Sequence, residues 1–358
     1  MSSKKSNFTS KLLQWHTTHN KRIMPWKGEL NPYFIWLSEI ILQQTRVEQG
    51  LPYYEKFISQ YPTVESLAVA ADEDVFKLWE GLGYYSRCRN LLKTARNISQ
   101  NYGGNFPASF SELLTLPGIG PYTAAAIASF AFNLPHAVLD GNVFRVLSRY
   151  FGIETPIDSS IGKKIFTEKA TQILDKKNPA AFNQAIMDFG ATVCKPSQPL
   201  CNQCDLRKQC IAFNTGQVSF LPVKGKKIIK STRYFYYGIL IHKNKILIRQ
   251  RADKDIWQNL FEFFLAESDE PRPDAVDWVK NKLNTIVDAN LFFNYVSPLF
   301  KQTLTHRKIE GNFVQFQLKT RVSIPGYRWV SVKDAQQYAF PIFIQQFAGK
   351  NLEKLILR

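Results

Sequence analysis

The fold of the N-terminal part is indicated by a turn with two glycines, Leu116-Pro117-Gly118-Ile119-Gly120-Pro121-Tyr122-Thr123-Ala124. It separates two segments whose apolar residues recur at helical spacing. The glycines permit a tight turn, and Pro121 suits the first turn of the helix that follows. Backbone amides at a helix start bind phosphate without reading a base sequence. The turn is therefore either a plain interhelical connection or a phosphate-binding site.

The excess of basic over acidic residues indicates which kind of molecule the protein binds. The 358 residues include 46 Lys and Arg against 29 Asp and Glu, which gives a formal net charge of +17. An excess of this size predicts a polyanionic partner, foremost nucleic acid, although a basic surface can also serve solubility alone. A hydrophobic content of 45% excludes wholesale disorder.

The sequence predicts no membrane partner. Its longest apolar stretch, residues 124–132, is about half of the roughly 20 residues that cross a bilayer. The N-terminus lacks the apolar core of a secretory signal. Five cysteines are too few for a disulfide framework in a chain of this length. We therefore expect a reducing compartment, the cytoplasm, with nucleoid association if the protein is bacterial.

Two domains and a linker are expected. Helical spacing dominates the first part, and residues 223–233 then carry five Lys and Arg without an acid, as a basic linker does. The predicted order is a mainly α domain over residues 1–222, the linker over 223–233 and an α+β domain over 234–358.

The α+β prediction rests on three patterns in the second domain. Residues 234–240 and 245–248 are β-branched and aromatic and are separated by a short turn, which predicts a hairpin. Residues 313–318 alternate with period two, as a half-buried strand does, and residues 276–283 have helical spacing.

Four of the five cysteines form a cluster with the spacing C-x6-C-x2-C-x5-C, namely Cys194, Cys201, Cys204 and Cys210. Four soft thiolates this close suit either a tetrahedral Zn²⁺ or a 4Fe–4S cluster. A single short loop bears all four, which favours the larger group, but spacing alone leaves both open. Cys88 stands apart and is interpreted as a buried apolar residue.

Two carboxylates stand in patterns that suit acid chemistry. Glu39 has apolar helical neighbours, Ile35 and Leu42. These neighbours predict a raised pKa of the Glu39 carboxyl group, which suits a general acid. The alternative is that Glu39 lies on a solvated stripe, the face of the helix exposed to water. Asp140 precedes a helical run, as a helix N-cap does, and a carboxylate kept ionised there can stabilise a cation. A shielded Glu and an ionised Asp are the pair that glycosidic cleavage requires.

The turn, the later Asp and the four-cysteine loop occur in the order of the helix-hairpin-helix DNA glycosylases of the endonuclease III superfamily. Over nearly its whole length the chain resembles the MutY-type adenine DNA glycosylases within it. The most specific stretch is residues 36–45, Trp-Leu-Ser-Glu-Ile-Ile-Leu-Gln-Gln-Thr. The segments that carry the likeness are Met24–Trp26, Pro32–Thr45, Gly81–Arg87, Leu116–Ala124, Leu139–Val146 and Phe182–Ala191.

One position separates the subfamilies by chemistry. Bifunctional lyases of this fold carry a Lys in the helix after the hairpin, and that Lys forms a Schiff base with the sugar. The matching residue here is Tyr122, whose phenol cannot form an imine. The resemblance thus implies base removal without strand cleavage. The alternatives are a bifunctional pyrimidine-lesion glycosylase/lyase of the endonuclease III type and a non-enzymatic nucleic-acid-binding protein.

The resemblance implies a monomeric hydrolase of base excision repair that removes adenine mispaired with 8-oxoguanine, or with guanine, in duplex DNA. Glu39 is then the general acid, and Asp140 stabilises or traps the oxocarbenium ion. Tyr122 and Asn142 orient these groups. The four cysteines are implied to ligate a 4Fe–4S cluster.

The resemblance also assigns contacts with DNA. Gln44 and Tyr84 match residues that wedge into the duplex. The turn residues Gly118 and Gly120, together with Lys195 of the cysteine loop, are implied to face phosphates.

A base pocket is implied as well, from Arg22, Trp26 and Lys27. Many relatives carry Arg where Lys27 stands, so a two-pronged contact there is not carried over.

The second domain resembles the Nudix-like C-terminal domain of these enzymes. A Nudix hydrolase has metal-binding glutamates where residues 284–290 hold only Asp288. The resemblance therefore implies a recognition module rather than a pyrophosphatase. Relatives recognise 8-oxoguanine with a Phe-Ser-His loop, and the aligned residues here are Leu304, Thr305 and His306. Thr305 keeps the hydroxyl group, whereas Leu304 lacks the aromatic ring.

Overall fold

The computed structural model describes residues 2–225 and 230–349. Its helices are α1 (Ser2–Thr18), α2 (Pro32–Leu42), α3 (Val47–Gln60), α4 (Val64–Ala68), α5 (Asp72–Leu78), α6 (Tyr85–Asn101), α7 (Phe110–Leu113), α8 (Pro121–Phe132), α9 (Gly141–Phe151), α10 (Ser160–Ile173), α11 (Pro179–Thr192), α12 (Ile211–Asn214), α13 (Ala275–Asn284) and α14 (Ile342–Ala348). Its strands are β1 (Ser231–His242), β2 (Lys245–Gln250), β3 (Phe261–Glu262), β4 (Phe264–Ser268), β5 (Phe292–Val296), β6 (Phe300–Thr303), β7 (Arg307–Gly311), β8 (Phe313–Gln317) and β9 (Tyr327–Ser331).

The chain divides into two compact units. The first unit is Met1–Val69 with Asn90–Lys227, and the second is Ala70–Arg89 with Ile228–Arg358. The first is helical and the second is built around a sheet. This confirms the predicted fold class, a mainly α domain followed by an α+β domain. None of the helices in the described part of the chain is long and apolar enough to cross a membrane.

Helix starts in the first unit follow from local sequence. The Asn31 side chain accepts a hydrogen bond from the backbone of Tyr33 and caps α2. Gly120 precedes α8, whose first residue is Pro121. Gly118 has a φ of 77°, in the left-handed region that glycine adopts without a steric penalty. The predicted tight turn and the helix beginning at Pro121 are both confirmed.

The core of the first unit is formed by α1, α8, α9, α10 and α11. Phe8, Val146, Phe166 and Phe189 are among its fully buried side chains. Burying an apolar side chain of this size stabilises the fold by about 1.5–3 kcal/mol. Helix α8 packs against both α2 and α11. That packing brings the carboxylates of the N-terminal half to one place.

In the second unit, the long strand β1 organises the sheet. Along its length it pairs antiparallel with β4 and β2, and parallel with β7 and β8. The predicted hairpin is confirmed, because His242 pairs with Lys245 and Lys243 has a φ of 54°. Helix α13 covers one face of the sheet through Val279 and Leu283, so its predicted position is confirmed as well.

Strand β8 differs from its prediction. The alternation suggested a half-buried strand, yet its first four residues are all buried, including Gln315. The physical reason is that β8 lies between β1 and β5 and is covered on both faces. Val314 faces the α13 side, whereas Phe313 stacks on Phe347 at a ring distance of 4.2 Å.

The predicted domain boundaries stay a prediction, but two details bear on them. Residues 70–89 group with the second unit although they precede residue 222. Arg233, counted with the basic linker, lies in β1 and forms ion pairs with Asp255 and Glu267, so its charge is locally neutralised. Lys226 and Lys227 of that segment lie outside the described residues.

Candidate active site

A cavity of about 1040 Å³ opens in the first unit. Its lining includes Glu39 from α2, Tyr122 from α8 and Asp140 at the start of α9. Three residues predicted separately from sequence thus meet in one place. A cavity of this size with converging titratable groups has the features of a binding or catalytic site.

Glu39 is placed by the most apolar helix turn of the first unit. Its neighbours Ile35 and Ile40 are buried, and Glu39 itself is only 9% exposed. Burial raises the pKa of Glu39 to about 7, and the negative charge of Asp140 adds to that rise. A hydrogen bond with Tyr122 acts in the opposite direction. The solvated-stripe alternative is therefore wrong, and the carboxyl group is poised to give up a proton near neutral pH.

Asp140 is the N-cap of α9. One of its oxygens accepts a hydrogen bond from the Val143 backbone at 2.7 Å, and the other accepts one from the Asn142 side chain at 2.7 Å. Burial nevertheless raises the pKa of Asp140, against these hydrogen bonds and the charge of Arg145. The cap is confirmed, while the structure adds a desolvation effect that the sequence did not indicate.

Tyr122 connects the two carboxylates. Burial raises the pKa of its phenol well above the usual value, and the charges of Glu39 and Asp140 raise it further. The hydroxyl therefore stays protonated and donates a hydrogen bond to Glu39. Tyr122 holds the acid in place and has no amine for imine chemistry.

Two arginines that the sequence reasoning missed join the Asp140 end of α9 to the cysteine loop. Arg145 donates to the Asn142 side chain at 2.8 Å and to the Cys194 carbonyl at 2.7 Å. Arg149 donates to the Lys195 carbonyl at 2.7 Å. The sequence did contain a signal for this pair, because Arg145 and Arg149 are four positions apart on a helix and therefore share one face.

A buried aspartate that sequence reasoning also missed organises the predicted base pocket. Asp188 of α11 is 0% exposed. Its two oxygens bind Arg22 at 2.9 Å, Lys27 at 3.2 Å and the Asn20 side chain at 2.8 Å. Arg22, Lys27 and Trp26 all line the cavity. The sequence signal for this role was that Asp188 is the acidic residue within the largely apolar sequence of α11.

Gln44 and the glycine turn line the 1040 Å³ cavity, where a ligand can contact them. Gln44 is exposed and has a φ of 60°, a strained conformation for a residue with a side chain. Both Gly118 and Gly120 line the cavity. A Cβ at Gly120 would meet no protein atom within 4 Å. Internal packing therefore does not explain the glycine, and close approach of a ligand backbone would.

The four cysteines line one small cavity of about 30 Å³ whose other walls are mostly apolar. Within the described ranges, no group of three or more His, Cys, Asp or Glu side chains is arranged to hold a metal ion. The donor set nevertheless fits an iron–sulfur group chemically, because four thiols from one loop line the same mostly apolar cavity. Lys195, beside the first cysteine, is half-exposed.

Tyr84 and the predicted lesion-reading residues meet within the second unit. The hydroxyl groups of Tyr84 and Thr305 lie 2.7 Å apart, within hydrogen-bonding distance. Tyr84 is 45% exposed and has a φ of 48°. Leu304 and His306 line the same cavity of about 580 Å³. The structure therefore brings together residues 221 positions apart in the chain.

Family models match two parts of the chain. Residues 37–172 match the model described as HhH-GPD superfamily base excision DNA repair protein. Residues 236–349 match the model of a NUDIX domain.

Several curated relatives carry the name adenine DNA glycosylase. One from Buchnera aphidicola subsp. Baizongia pistaciae is 37% identical over 301 residues, which cover 83% of this chain and 84% of the relative. One from Buchnera aphidicola subsp. Schizaphis graminum is 37% identical over 346 residues, covering 95% and 97%. A human one is 42% identical over 214 residues, covering 57% and 39%.

Solved structures with a similar fold cover about three fifths of the chain. A thermostable thymine-DNA glycosylase is similar with a TM-score of 0.56 and 31% identity, over 60% of this chain and 98% of that one. A non-covalent endonuclease III–DNA complex is similar with a TM-score of 0.52 and 21% identity, over 60% and 98%.

Proposed function

The chain belongs to the adenine DNA glycosylase family, with an HhH-GPD domain and a NUDIX domain, and on that premise we propose that it excises adenine paired with 8-oxoguanine or guanine in duplex DNA. As a DNA glycosylase it is a hydrolase of the N-glycosidic bond. The observation that carries the proposal is Glu39, a carboxyl group with a pKa of about 7 that shares one cavity with Tyr122 and Asp140.

The first step is proton transfer to the leaving base. Adenine leaves the helical stack and enters the cavity, at a cost of a few kcal/mol. Glu39 is protonated for a substantial fraction of the time near neutral pH, because its pKa is about 7. It donates its proton to N7 of adenine, which turns the base into a neutral leaving group. Tyr122 holds the carboxyl group in position during this step.

Asp140 acts on the sugar. As the bond to the base breaks, positive charge develops on the deoxyribose ring, and the Asp140 carboxylate stabilises it or traps it covalently. Asn142 and the Val143 amide fix the carboxylate, with both hydrogen bonds at 2.7 Å. Glu39, now ionised, takes a proton from the water that completes hydrolysis.

The wall formed by Arg22, Trp26 and Lys27 receives the flipped base. Asp188 holds the two cationic side chains in place, so they present donors at a fixed position rather than as mobile charges. Gln44 fills the gap left in the duplex, and the amides of the turn at Gly118 and Gly120 bind the phosphate backbone.

The four cysteines hold one 4Fe–4S cluster in this proposal. Arg145 and Arg149 tie this loop to α9, and a cluster held by the four thiolates would crosslink it. Half-exposed Lys195 then faces phosphate. A purified protein with about four iron atoms per chain and visible absorbance would support this proposal. A colourless protein loaded with zinc would contradict it.

Recognition of the opposite base falls to the second unit. Thr305 and Tyr84 present two adjacent hydroxyl groups in the 580 Å³ cavity, with His306 beside them. Hydroxyl and imidazole groups can donate to the oxygen, or accept from the N–H, that distinguishes 8-oxoguanine from guanine. The enzyme acts as a monomer in this account.

The test uses a duplex with one A:8-oxoguanine pair and an end label. We expect adenine release with the strand intact until alkali or heat is added, because Tyr122 cannot form a Schiff base. Strand breakage during the enzyme reaction itself would favour the bifunctional lyase. Binding without base release would favour the non-enzymatic alternative.

A further inference from the structure

A chain of arginine–carboxylate pairs runs through the second unit and ends at the loop with Thr305. Glu262 is 0% exposed and binds Arg251 at 2.5 Å. Arg251 also reaches Asp255 at 3.5 Å. Asp255 in turn binds Arg233 at 2.6 Å and Arg307 at 3.4 Å. One carboxylate thus receives three arginines.

Asp255 stands on a loop that the surrounding structure holds firmly. Trp257 is 7% exposed, and its ring meets Phe235 edge-on at 5.7 Å. The Gln258 carbonyl accepts a hydrogen bond from Arg89 at 3.0 Å. Trp257 has a φ of 61°, a conformation that a residue with a side chain keeps only when its surroundings enforce it. The Asp255 carboxylate is therefore a fixed point.

Arg307 connects that fixed point to the loop. It is the first residue of β7 and directly follows His306. Its carbonyl accepts a hydrogen bond from the Leu304 amide at 2.8 Å, which closes the turn that holds Thr305. Asp255, Thr305 and Arg307 all line the 580 Å³ cavity. Across the described part of the chain, the ion pair of Arg307 is the one with Asp255.

We propose that Asp255 is a positioning residue that holds the turn at Thr305 through Arg307 and thereby sets the preference for 8-oxoguanine over guanine opposite the adenine. This rests on the proposed role of Thr305. The other two arginines keep a carboxylate when Asp255 is neutralised, because Glu267 binds Arg233 and Glu262 binds Arg251. Loss of the Asp255 charge therefore releases Arg307 selectively.

The test compares Asp255→Asn with Glu267→Gln. Glu267 pairs with Arg233 in the same network but does not contact Arg307, so it is a matched control. Single-turnover rates of adenine excision are measured opposite 8-oxoguanine and opposite guanine. We expect the ratio of the two rates to fall about tenfold in Asp255→Asn, since small misplacements of a binding group cost this much or more. In Glu267→Gln the ratio should stay within about twofold.

Arg307→Met gives a second, independent readout. It should lower the ratio as Asp255→Asn does, and the double variant should lower it no further, as expected for two residues acting through one contact. A general structural defect would slow both substrates equally and leave the ratio unchanged. An unchanged ratio in Asp255→Asn, or an equal fall in Glu267→Gln, overturns the proposal.

Thr305→Val separates this proposal from the proposed function. If Thr305→Val lowers the ratio and Asp255→Asn does not, only the positioning role of Asp255 fails. If Thr305→Val leaves the ratio unchanged, the role of Thr305 in recognising the lesion fails, and the Asp255 proposal falls with it.

Discussion

Replacing Glu39 with Gln should make the protein more stable above neutral pH. The Glu39 carboxyl group has an ordinary pKa of 4.5 and a pKa of about 7 in the folded chain. Between these two values the folded state binds more protons than the unfolded state. The stability of the wild-type protein therefore falls as the pH rises through this interval. A glutamine amide in its place cannot ionise, so the variant avoids this loss.

The size of the effect follows from the two pKa values. Each pKa unit corresponds to about 1.36 kcal/mol, so Glu39 destabilises the folded state by about 3 kcal/mol at pH 8 and by about 1 kcal/mol at pH 5. The advantage of Glu39→Gln should therefore grow by about 2 kcal/mol between these pH values. For a unit of this size that is a gain of about 4–8 °C in Tm.

The assay is thermal unfolding of both proteins at pH 5 and pH 8, followed by circular dichroism. Any difference in stability between Gln and a protonated Glu that does not depend on pH is the same at pH 5 and pH 8. It therefore cancels when the two pH values are compared. Glu55→Gln is the control, because Glu55 is exposed on α3 and does not line the cavity. A Tm difference between Glu39→Gln and wild type that does not change with pH would refute the reasoning from burial.

Three further outcomes follow from the cavity. The single-turnover rate of adenine release should fall as the pH rises above about 7, because Glu39 must be protonated to donate; a rate that rises steadily to pH 9 would contradict this. Asp140→Asn should cost about 100-fold or more in that rate without lowering Tm at neutral pH, since Asn also caps helices and removes a buried charge. Asp188→Asn should weaken substrate binding about tenfold with a smaller effect on kcat, because it releases Arg22 and Lys27 from their fixed positions. An equal loss in substrate affinity and in kcat would indicate a folding defect instead.

The features that the sequence predicted depend on near neighbours. Gly118 adopts a positive φ and Pro121 begins a helix, because each residue type is suited to that backbone position. Asp140 caps α9 for a similarly local reason. The shielding of Glu39 was visible in the apolar residues one helical turn away on each side.

The features that escaped prediction depend on distant partners. Asp188 meets Arg22 across 166 positions, and Asp255 meets Arg307 across 52. A sequence shows that such charges exist but not which ones pair after folding. Burial of Gln315 inside β8 was missed for the same reason, since period-two alternation cannot show that a second layer covers the other face.

The most direct test of the central claim is the single-turnover release of adenine from an A:8-oxoguanine duplex by wild type and by Glu39→Gln, with the affinity for the same duplex measured in parallel. We expect a loss of about 100- to 10,000-fold in the rate for Glu39→Gln with the affinity retained, because the variant keeps the cavity and lacks only the proton. Release of adenine at the wild-type rate by Glu39→Gln would contradict it.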